Sequence, residues 1–357
     1  MPRIPPWLFR RARFQSPHVA TLLPACRDIP SAQNELRWIR EHVQDTYPAL
    51  HEHYVTKLCG RRGRGEPLQY VLGNQPFGSL DIKCQSGVLI PRPETEAYTI
   101  YLAELLKSVY FRNTDEQKRP ETLNVIDFCT GTGCIPLLLY GMLRKVTRKL
   151  DVRGVDISPK AAALAAANFE HNLASGSLSP EDDAHTLSIL QGDVFDETMI
   201  ADLAYKSWDV LVSNPPYVSK DVWHNGRGQL GYSVRKFEPR LALVPGDHHR
   251  VPEGVRHEDI FYARLLDVGQ QLRTRILLLE IGDESQALRV AQLFNRHNLS
   301  NVARIELWRD WPDLESNLEE PTSLPIADNA WEQTSKSVPV RGSGNVRSVF
   351  IYRPGDV

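Results

Sequence analysis

Short apolar runs alternate with longer segments of helical spacing from residue 123 to the end of the chain. The runs are rich in Val, Ile and Leu, and such runs are typical of buried strands. Their alternation with helical segments predicts parallel strands joined by crossover helices. The strands that we assign are 123–127, 151–156, 186–190, 208–213, 276–281, 303–308 and 348–353.

The last of these strands follows its predecessor without a convincing helix. A strand that returns without a crossover runs antiparallel to its neighbour. We therefore predict an α/β fold, a doubly wound and Rossmann-like sheet of seven strands whose last strand is antiparallel. Two stretches, about 244–256 and about 312–345, are rich in Pro, Gly, Ser and His or Asp without periodicity, and we predict loop insertions there.

The amino-terminal part of the chain has a different pattern. Apolar residues recur at helical spacing between Ser31, which can cap a helix, and Pro48, which ends the segment. We predict a small helical domain over 16–65. Short apolar runs broken by Gly and Asn follow over 66–90 and predict a β-hairpin linker to the larger domain, 91–357.

The first 27 residues hold five arginines and no Asp or Glu, with Trp and Phe between the arginines. This basic, acid-free bias is typical of a mitochondrial transit peptide, and an ordinary basic terminus is the alternative. We predict a transit segment over 1–15 and a mitochondrial location, with the cytoplasm as the alternative.

Composition narrows the range of partners. Lys and Arg number 42 against 44 Asp and Glu, so no basic excess indicates a nucleic-acid partner. No apolar run approaches the length that crosses a bilayer, and we expect no membrane partner. The five cysteines form no C-x-x-C pair, and the spacing of Asp247-His248-His249 with His257-Glu258 matches no zinc template. We predict no metal site.

Candidate chemistry gathers where the predicted strands end. The first strand runs into the loop Cys129-Thr130-Gly131-Thr132-Gly133, whose glycines let backbone approach a ligand closely. The second strand ends in Asp156, which can accept hydrogen bonds from ribose hydroxyls, and the third is followed by Asp193 and Val194. Because the carboxyl ends of parallel strands meet at one edge, these residues predict one binding crevice.

The loop lacks the G-x-G-x-x-G fingerprint of dinucleotide sites. Without a clear cradle for a pyrophosphate, a nucleoside that carries no phosphate fits better than NAD. S-adenosylmethionine is such a ligand, and we predict it as the cofactor.

The fourth strand ends in Asn214-Pro215-Pro216-Tyr217. Consecutive prolines fix the backbone and remove two N–H donors, so the Asn214 side-chain oxygen and the Pro215 carbonyl become rigidly placed acceptors. Two such acceptors suit a planar NH2 group. Tyr217 is expected to pack on a flat amide or, equally, to serve only the packing of the turn.

This motif resembles the signature of methyltransferases that act on planar amino groups: N6-adenine and N4-cytosine DNA enzymes and the HemK/PrmC-type protein-(glutamine-N5) methyltransferases. The segments 69–73 and 87–96, with Phe77, resemble the linker of the HemK group, and 237–243 resembles the segment that follows its motif. The similarity spans about 31 to 311 and the last strand.

The resemblance implies a class I methyltransferase domain and a helical domain that engages a class I peptide chain release factor. The substrate that it implies is the glutamine of that factor's Gly-Gly-Gln loop, in the organellar factor if the transit segment is real. By position, the catalytic residues are Asn214, Pro215, Pro216 and Tyr217, and the cofactor-binding residues are Cys129, Thr130, Gly131, Thr132, Gly133, Asp156, Asp193, Val194 and Asn214.

Two positions depart from the family's pattern. Cys129 stands where most members have Gly, and we expect a loop conformation with negative φ there. Val194 stands where some members have an aromatic residue, so adenine packing is expected to be aliphatic. Glu94 and Glu96 follow Pro93 before an apolar run, and we interpret them as the charged start of a helix.

Three alternatives to this reading stay open. The acceptor could be another protein glutamine, such as one in a ribosomal protein, or adenine in nucleic acid. A translation-associated scaffold without activity is the third alternative, and the intact Asn214–Tyr217 motif argues against it.

Overall fold

The computed structural model describes residues 3–112, 122–226, 230–326 and 336–355. Its helices are α1 (Pro6–Gln15), α2 (Pro17–Cys26), α3 (Ile29–Thr46), α4 (His51–Gly63), α5 (Leu68–Leu72), α6 (Pro93–Arg112), α7 (Cys134–Leu143), α8 (Pro159–Ala174), α9 (Glu197–Leu203), α10 (Lys220–Asn225), α11 (Tyr232–Phe237), α12 (Ile260–Gln271) and α13 (Glu284–Arg296). Its strands are β1 (Asn74–Phe77), β2 (Leu80–Lys83), β3 (Thr122–Phe128), β4 (Lys149–Asp156), β5 (His185–Gln191), β6 (Val210–Ser213), β7 (Ile276–Glu280), β8 (Arg304–Trp311), β9 (Ser323–Ile326), β10 (Lys336–Arg341) and β11 (Ser343–Tyr352).

The chain divides into two compact units. One comprises 1–75, 83–90 and 221–239, and the other comprises 76–82, 91–220 and 240–357. The domain boundaries that we drew from sequence at 65 and 90 remain predictions. No helix among the described residues is long and apolar enough to span a bilayer.

The first unit is built on α1 to α5. The side chain of Asp28, rather than Ser31, caps α3, because its Oδ1 accepts the Ser31 amide N–H at 2.7 Å. The core contains Leu22, Ile39 and Val55, all with no exposed surface. Ala12 of α1 lies in the same core, so the described part of the stretch that we predicted as a transit segment is a packed helix here.

Segments that we singled out in the sequence come together in this unit. Tyr70, Cys84 and Ile90 form a small buried cluster, and Phe237 packs against it. Glu238 accepts a hydrogen bond from the Ile90 amide, 3.3 Å from donor to acceptor. Residues from the segments 69–73, 87–96 and 237–243 therefore contact one another, and these contacts account for the residue types at those positions.

The second unit contains a sheet in the order β5-β4-β3-β6-β7-β11-β8-β10-β9. The strands from β5 to β7 are parallel, and β11 lies antiparallel between β7 and β8. Alternate residues of β3 enter different clusters, Ile126 one and Val125 the other, so the sheet is covered on both faces. The doubly wound α/β sheet and its reversed last strand are confirmed.

The number of strands that we predicted from the sequence was wrong. Over the residues that the structure describes, the sheet has nine strands rather than seven, because β9 and β10 lie in the stretch 312–345 that we predicted as a loop. Val338 and Val340 of β10 are buried and alternate with exposed neighbours, which is a strand pattern. The predicted loop also includes 327–335, which lie outside the described residues.

Candidate active site

The sequence-predicted site residues lie at the carboxyl ends of β3, β4, β5 and β6, which are neighbours in the sheet. The ends of β3 and β6 are tied together, because the Ser213 hydroxyl donates to the Phe128 carbonyl at 2.7 Å. The structure therefore brings the glycine loop and the Asn214–Tyr217 turn to the same edge.

The loop after β3 uses left-handed backbone at three positions. Gly131 has φ +56° and Gly133 has φ +79°, values that glycine adopts without strain. Cys129 has φ +62°, so our expectation of a negative φ there was wrong. A side chain in this conformation costs about 1 to 2 kcal/mol, which the loop tolerates so that the chain can turn from β3 into α7.

Hydrogen bonds hold this loop rigidly. The Thr130 amide donates to the Val155 carbonyl at 3.1 Å, and the Gly133 amide donates to the Thr130 carbonyl at 2.8 Å. Asn168 of α8 is fully buried and donates from Nδ2 to the Thr132 carbonyl at 2.9 Å. A contact 36 residues away in the chain gives no local sequence signal, so sequence reasoning missed Asn168.

Asp156 joins the end of β4 to the loop. Its Oδ2 accepts the Gly131 amide and its Oδ1 accepts the Ser158 amide, each at 2.8 Å. Burial raises the pKa of Asp156, while these two hydrogen bonds oppose the rise. Each carboxylate oxygen retains a lone pair, so Asp156 can still accept hydroxyls of a ligand.

Asp127, near the end of β3, was not singled out in the sequence. It is fully buried, and neither carboxylate oxygen makes a hydrogen bond of good geometry to the described residues. Burial raises its pKa well above the usual range, the Thr130 hydroxyl opposes that rise, and the charge of Asp156 adds to it. Burying a carboxylate that makes no hydrogen bond of good geometry costs free energy, and a cationic group of a ligand can offset that cost.

The end of β5 leads into Asp193 and Val194. Asp193 turns the chain by accepting the Phe195 amide at 2.9 Å. Val194 is 5% exposed and packs in the core, whereas Phe195 is only partly buried. The Phe195 ring stacks on His249 with centroids 4.0 Å apart.

His249 belongs to the loop near 244–256. Its pKa is lowered, chiefly by burial and also by His248. Among the residues that the structure describes, no group of three or more His, Cys, Asp or Glu side chains could hold a metal ion. The ring contacts of His249 with Phe195 and His248 place it in packing beside the end of β5.

The Asn214–Tyr217 turn follows β6 directly. Pro215 and Pro216 are buried, and Asn214 is partly exposed. No described residue hydrogen-bonds to the Asn214 side chain or to the Pro215 carbonyl. Both acceptors are thus available to a ligand in the geometry that the two prolines fix.

Tyr217 is held at both ends. Its hydroxyl donates to Glu280 Oε1 at 3.2 Å, and its carbonyl accepts from Gln286 Nε2 at 3.2 Å. Burial raises the pKa of Tyr217, and the Glu280 charge adds to the rise. Sequence reasoning missed Glu280 and Gln286, which lie more than 60 residues beyond the turn.

Comparisons with known proteins show relatives over most of the chain. A relative in Schizosaccharomyces pombe, named "Probable MRF1 mitochondrial N(5)-glutamine methyltransferase mtq1", is 33% identical over 304 residues, 84% of this chain and 90% of the relative. The "Mitochondrial MRF1 N(5)-glutamine methyltransferase MTQ1" of Saccharomyces cerevisiae is 35% identical, over 68% of each chain. The chain belongs to the family of N(5)-glutamine methyltransferases.

The bacterial branch of this family matches too. The release factor glutamine methyltransferase of Haemophilus influenzae is 31% identical over 73% of this chain and 77% of its own. No protein-family model matches the chain. The solved structure of the hMettl16 catalytic domain in complex with the MAT2A 3'UTR hairpin 1 is 14% identical, with a TM-score of 0.43 over 88% of this chain and 91% of that one. A likeness that weak carries no argument.

Membership of this family makes the protein a methyltransferase, and its cofactor is S-adenosylmethionine. The residues present fit this cofactor, because it carries an ammonium and a sulfonium charge and Asp127 is a buried carboxylate that lacks a partner of good geometry. Asp156 adds an acceptor at the end of the neighbouring strand, where a ribose is expected.

Proposed function

We propose that the protein transfers a methyl group from S-adenosylmethionine to the side-chain amide nitrogen of the glutamine in the Gly-Gly-Gln loop of a mitochondrial class I peptide chain release factor. The observation that carries the proposal is the pair of acceptors, the Asn214 side chain and the Pro215 carbonyl, which have no partner among the described residues and follow β6 beside the glycine loop. The names of the relatives support the release factor as the substrate.

A carboxamide nitrogen is a poor nucleophile, because its lone pair is delocalised into the carbonyl. No side chain can deprotonate such a nitrogen near neutral pH, so the protein must work by positioning. The side-chain oxygen of Asn214 and the Pro215 carbonyl accept hydrogen bonds from the two N–H groups of the glutamine amide. These acceptors also stabilise the positive charge that develops on the nitrogen. Orientation of this kind is worth on the order of 7 to 11 kcal/mol in favourable model systems.

Bound S-adenosylmethionine supplies an electrophilic methyl group on its sulfonium. The residues that hold it in this proposal are those predicted from the sequence in the loop 129–133, with Asp156, Asp193, Val194 and Asn214, and Asp127 is added from its burial. The backbone turn keeps the acceptor amide in line with this group, and the proton leaves the nitrogen after transfer. The catalytic residues are Asn214, Pro215, Pro216 and Tyr217.

The decisive experiment is Asn214→Ala. Loss of one oriented acceptor should lower kcat about 100-fold to 1000-fold and leave the melting temperature nearly unchanged, because the side chain bonds to no described residue. Purified protein, cofactor and release factor are incubated, and the glutamine is followed by peptide mass spectrometry. Asn301→Ala, at an exposed asparagine, is the matched control.

Three outcomes would contradict the proposal. Methylation by Asn214→Ala near the parent rate would refute the amide-positioning mechanism. Methylation by the parent of a different glutamine, or of adenine in RNA or DNA, would refute the substrate. Cofactor binding without transfer to any of these would support the scaffold alternative.

The mitochondrial location has its own test. The five arginines among the first 27 residues, without an acid, are typical of a targeting segment, and two of the relatives are named as mitochondrial. A fluorescent fusion of residues 1–30 should go to mitochondria. Diffuse fluorescence in the cytosol would count against the location.

A further inference from the structure

A buried network of polar side chains lies behind the Asn214–Tyr217 turn, in the second unit. Its centre is Glu280, the last residue of β7, which is 2% exposed. Thr95 donates to Glu280 Oε2 at 2.6 Å, and Tyr217 donates to Glu280 Oε1 at 3.2 Å. The one carboxylate thus joins the first turn of α6 to the end of the turn after β6.

The ring of Tyr217 is fixed as well as its hydroxyl. A Cβ at Gly282 would lie 3.1 Å from Tyr217 Cδ2 and 3.3 Å from Cε2, so the ring rests directly on the Gly282 backbone. Gln286 is 3% exposed, and it donates to the Tyr217 carbonyl while accepting the Gly282 amide at 2.8 Å. The Gly282 backbone therefore fixes the position of the Tyr217 ring, and the hydrogen bond to Glu280 fixes the direction of its hydroxyl.

Each oxygen of the Glu280 carboxylate accepts from a different element, Oε2 from Thr95 of α6 and Oε1 from Tyr217 after β6. Its burial raises its pKa, and the hydroxyl of Thr95 is the strongest influence that lowers it. If the Thr95 hydroxyl is removed, Oε2 is left buried without that donor, and the carboxylate gains by rotating toward another one. Such a rotation takes Oε1 away from Tyr217.

We propose that Thr95 and Glu280 form a positioning relay, in which Thr95 fixes the carboxylate and the carboxylate fixes Tyr217 beside the acceptor amide. The inference rests on the proposed function, since it gives Tyr217 a role in orienting the glutamine. It also assigns a task to Thr95, which stands between Glu94 and Glu96 in the segment whose residues we interpreted only as a helix start.

The chain offers a matched pair of threonines for the test. Thr95 and Thr99 are both buried, one turn apart on α6, at 2% and 0% exposed. Thr99 donates to the Thr95 carbonyl at 2.6 Å, so its hydroxyl bonds to backbone and not to Glu280. Replacement by Val removes one hydroxyl from either position and conserves the shape.

In steady-state assays with cofactor and release factor, Thr95→Val should lower kcat roughly 5-fold to 30-fold, because small displacements of an orienting group already have large effects on rate. Thr99→Val should stay within about twofold of the parent, and the KM for the cofactor should be unchanged in both. Thr95→Ser, which restores the hydroxyl, should recover most of kcat. In combination with Tyr217→Phe, Thr95→Val should lower kcat no further, since both changes break one relay.

Equal losses in Thr95→Val and Thr99→Val, or full additivity with Tyr217→Phe, would overturn the relay. If Thr95→Val fails to fold, Glu280→Gln takes its place in the same cycle with Tyr217→Phe. A second measurement needs no methyl transfer: NMR of ring-labelled tyrosine, with the Tyr217 signal assigned by its loss in Tyr217→Phe. The signal should shift in Thr95→Val and stay in place in Thr99→Val, and the reverse would refute the relay even if the parent proves inactive on release factors.

Discussion

Asp127→Asn should make the protein without cofactor more stable and the cofactor weaker in binding. Asp127 has no exposed surface and no hydrogen-bond partner of good geometry among the described residues. Burial raises its pKa well above the usual range; the Thr130 hydroxyl opposes this rise in pKa, and the Asp156 charge adds to it. A carboxyl whose pKa is raised on folding stabilises the fold below its unfolded pKa, about 3.9, and this contribution is lost as the pH rises through the folded pKa.

The magnitude follows from the burial of an uncompensated charge. An unsatisfied buried polar group costs about 1 to 3 kcal/mol, and the neutral amide of Asn costs less than the ionised carboxylate in the same place. For a chain of this size the gain corresponds to a rise in melting temperature of about 2 to 6 °C at pH 8. The rise should shrink toward acid pH, where Asp127 of the parent is protonated.

The cofactor should respond in the opposite direction. A hydrogen bond to a charged group is worth about 1.5 to 3 kcal/mol, so the Kd for S-adenosylmethionine should increase by about 10-fold to 150-fold. Scanning fluorimetry from pH 5.5 to 8.5 and calorimetric titration measure the two effects, with Asp202→Asn, at an exposed aspartate, as the control. Titration with S-adenosylhomocysteine, which keeps the ammonium and lacks the sulfonium charge, identifies the group that faces Asp127.

A fall in melting temperature of the cofactor-free Asp127→Asn protein at pH 8 would refute the reasoning about the buried charge. An unchanged Kd would separately refute the placement of Asp127 in the cofactor site. Equal losses for the two ligands would assign Asp127 to the ammonium, and a loss confined to S-adenosylmethionine would assign it to the sulfonium.

Two further variants test the fold. Cys129→Gly should leave cofactor affinity within about threefold and stability within about 1 kcal/mol by denaturant titration. The reason is that relief of the left-handed φ of +62° offsets the entropy that glycine loses on folding. A larger loss of stability would mean that the Cys129 side chain makes stabilising contacts in the loop. Val338→Ala should lower the free energy of unfolding by about 2 kcal/mol, since Val338 of β10 is fully buried. The control Ser337→Ala, at an exposed position of the same strand, should change it by less than about 0.5 kcal/mol. Equal effects would place β10 outside the folded sheet.

The parallel strands could be predicted because their signal is local. β6 and β7 are buried at every position and form continuous apolar runs, while β3 and β4 keep buried apolar residues at alternate or consecutive positions and β5, at the sheet edge, keeps fewer. The residues that end or follow β3 to β6 lie at the edge that forms the site. The glycine loop and the Asn214–Tyr217 turn are contiguous in sequence for the same reason. The positions of the loop and the turn at the ends of predicted strands were therefore enough to predict that they lie close together.

The outer strands β9 and β10 could not be predicted in this way. Their buried residues alternate with exposed ones over only a few positions, and each strand contains a proline, Pro325 and Pro339, which usually indicates a loop. β9 is at the edge of the sheet, and the residues of β10 that pair with β8 are Val340 and Arg341, beyond Pro339. A proline is tolerated where the ladder does not need its N–H.

The supporting residues of the site were missed because their partners are remote in the chain. The bond from Thr95 to Glu280 spans 185 residues, and the bond from Gln286 to Tyr217 spans 69. In the sequence Glu280 lies within the predicted strand 276–281, and Gln286 follows a few residues later. Neither position carries a pattern that distinguishes a site residue from an ordinary strand or helix residue. Only the folded sheet makes them neighbours of the turn.

The edge that forms the site also concentrates buried carboxylates. Asp127, Asp156 and Glu280 all lie at or next to the last residue of a parallel strand, and burial raises the pKa of each. Ionised carboxylates that burial has removed from water disfavour the fold when nothing positive is bound, and each backbone or hydroxyl donor at Asp156 and Glu280 offsets part of that cost. Asp127 has only the Thr130 hydroxyl beside it and makes no hydrogen bond of good geometry to the described residues, so more of its cost is left for a bound cation to offset. Under the proposed function that cation is the cofactor, whose binding should stabilise the edge. The proposed function therefore predicts that the affinity for a cationic cofactor and a lower stability of the protein without it have one origin, the buried charge of Asp127.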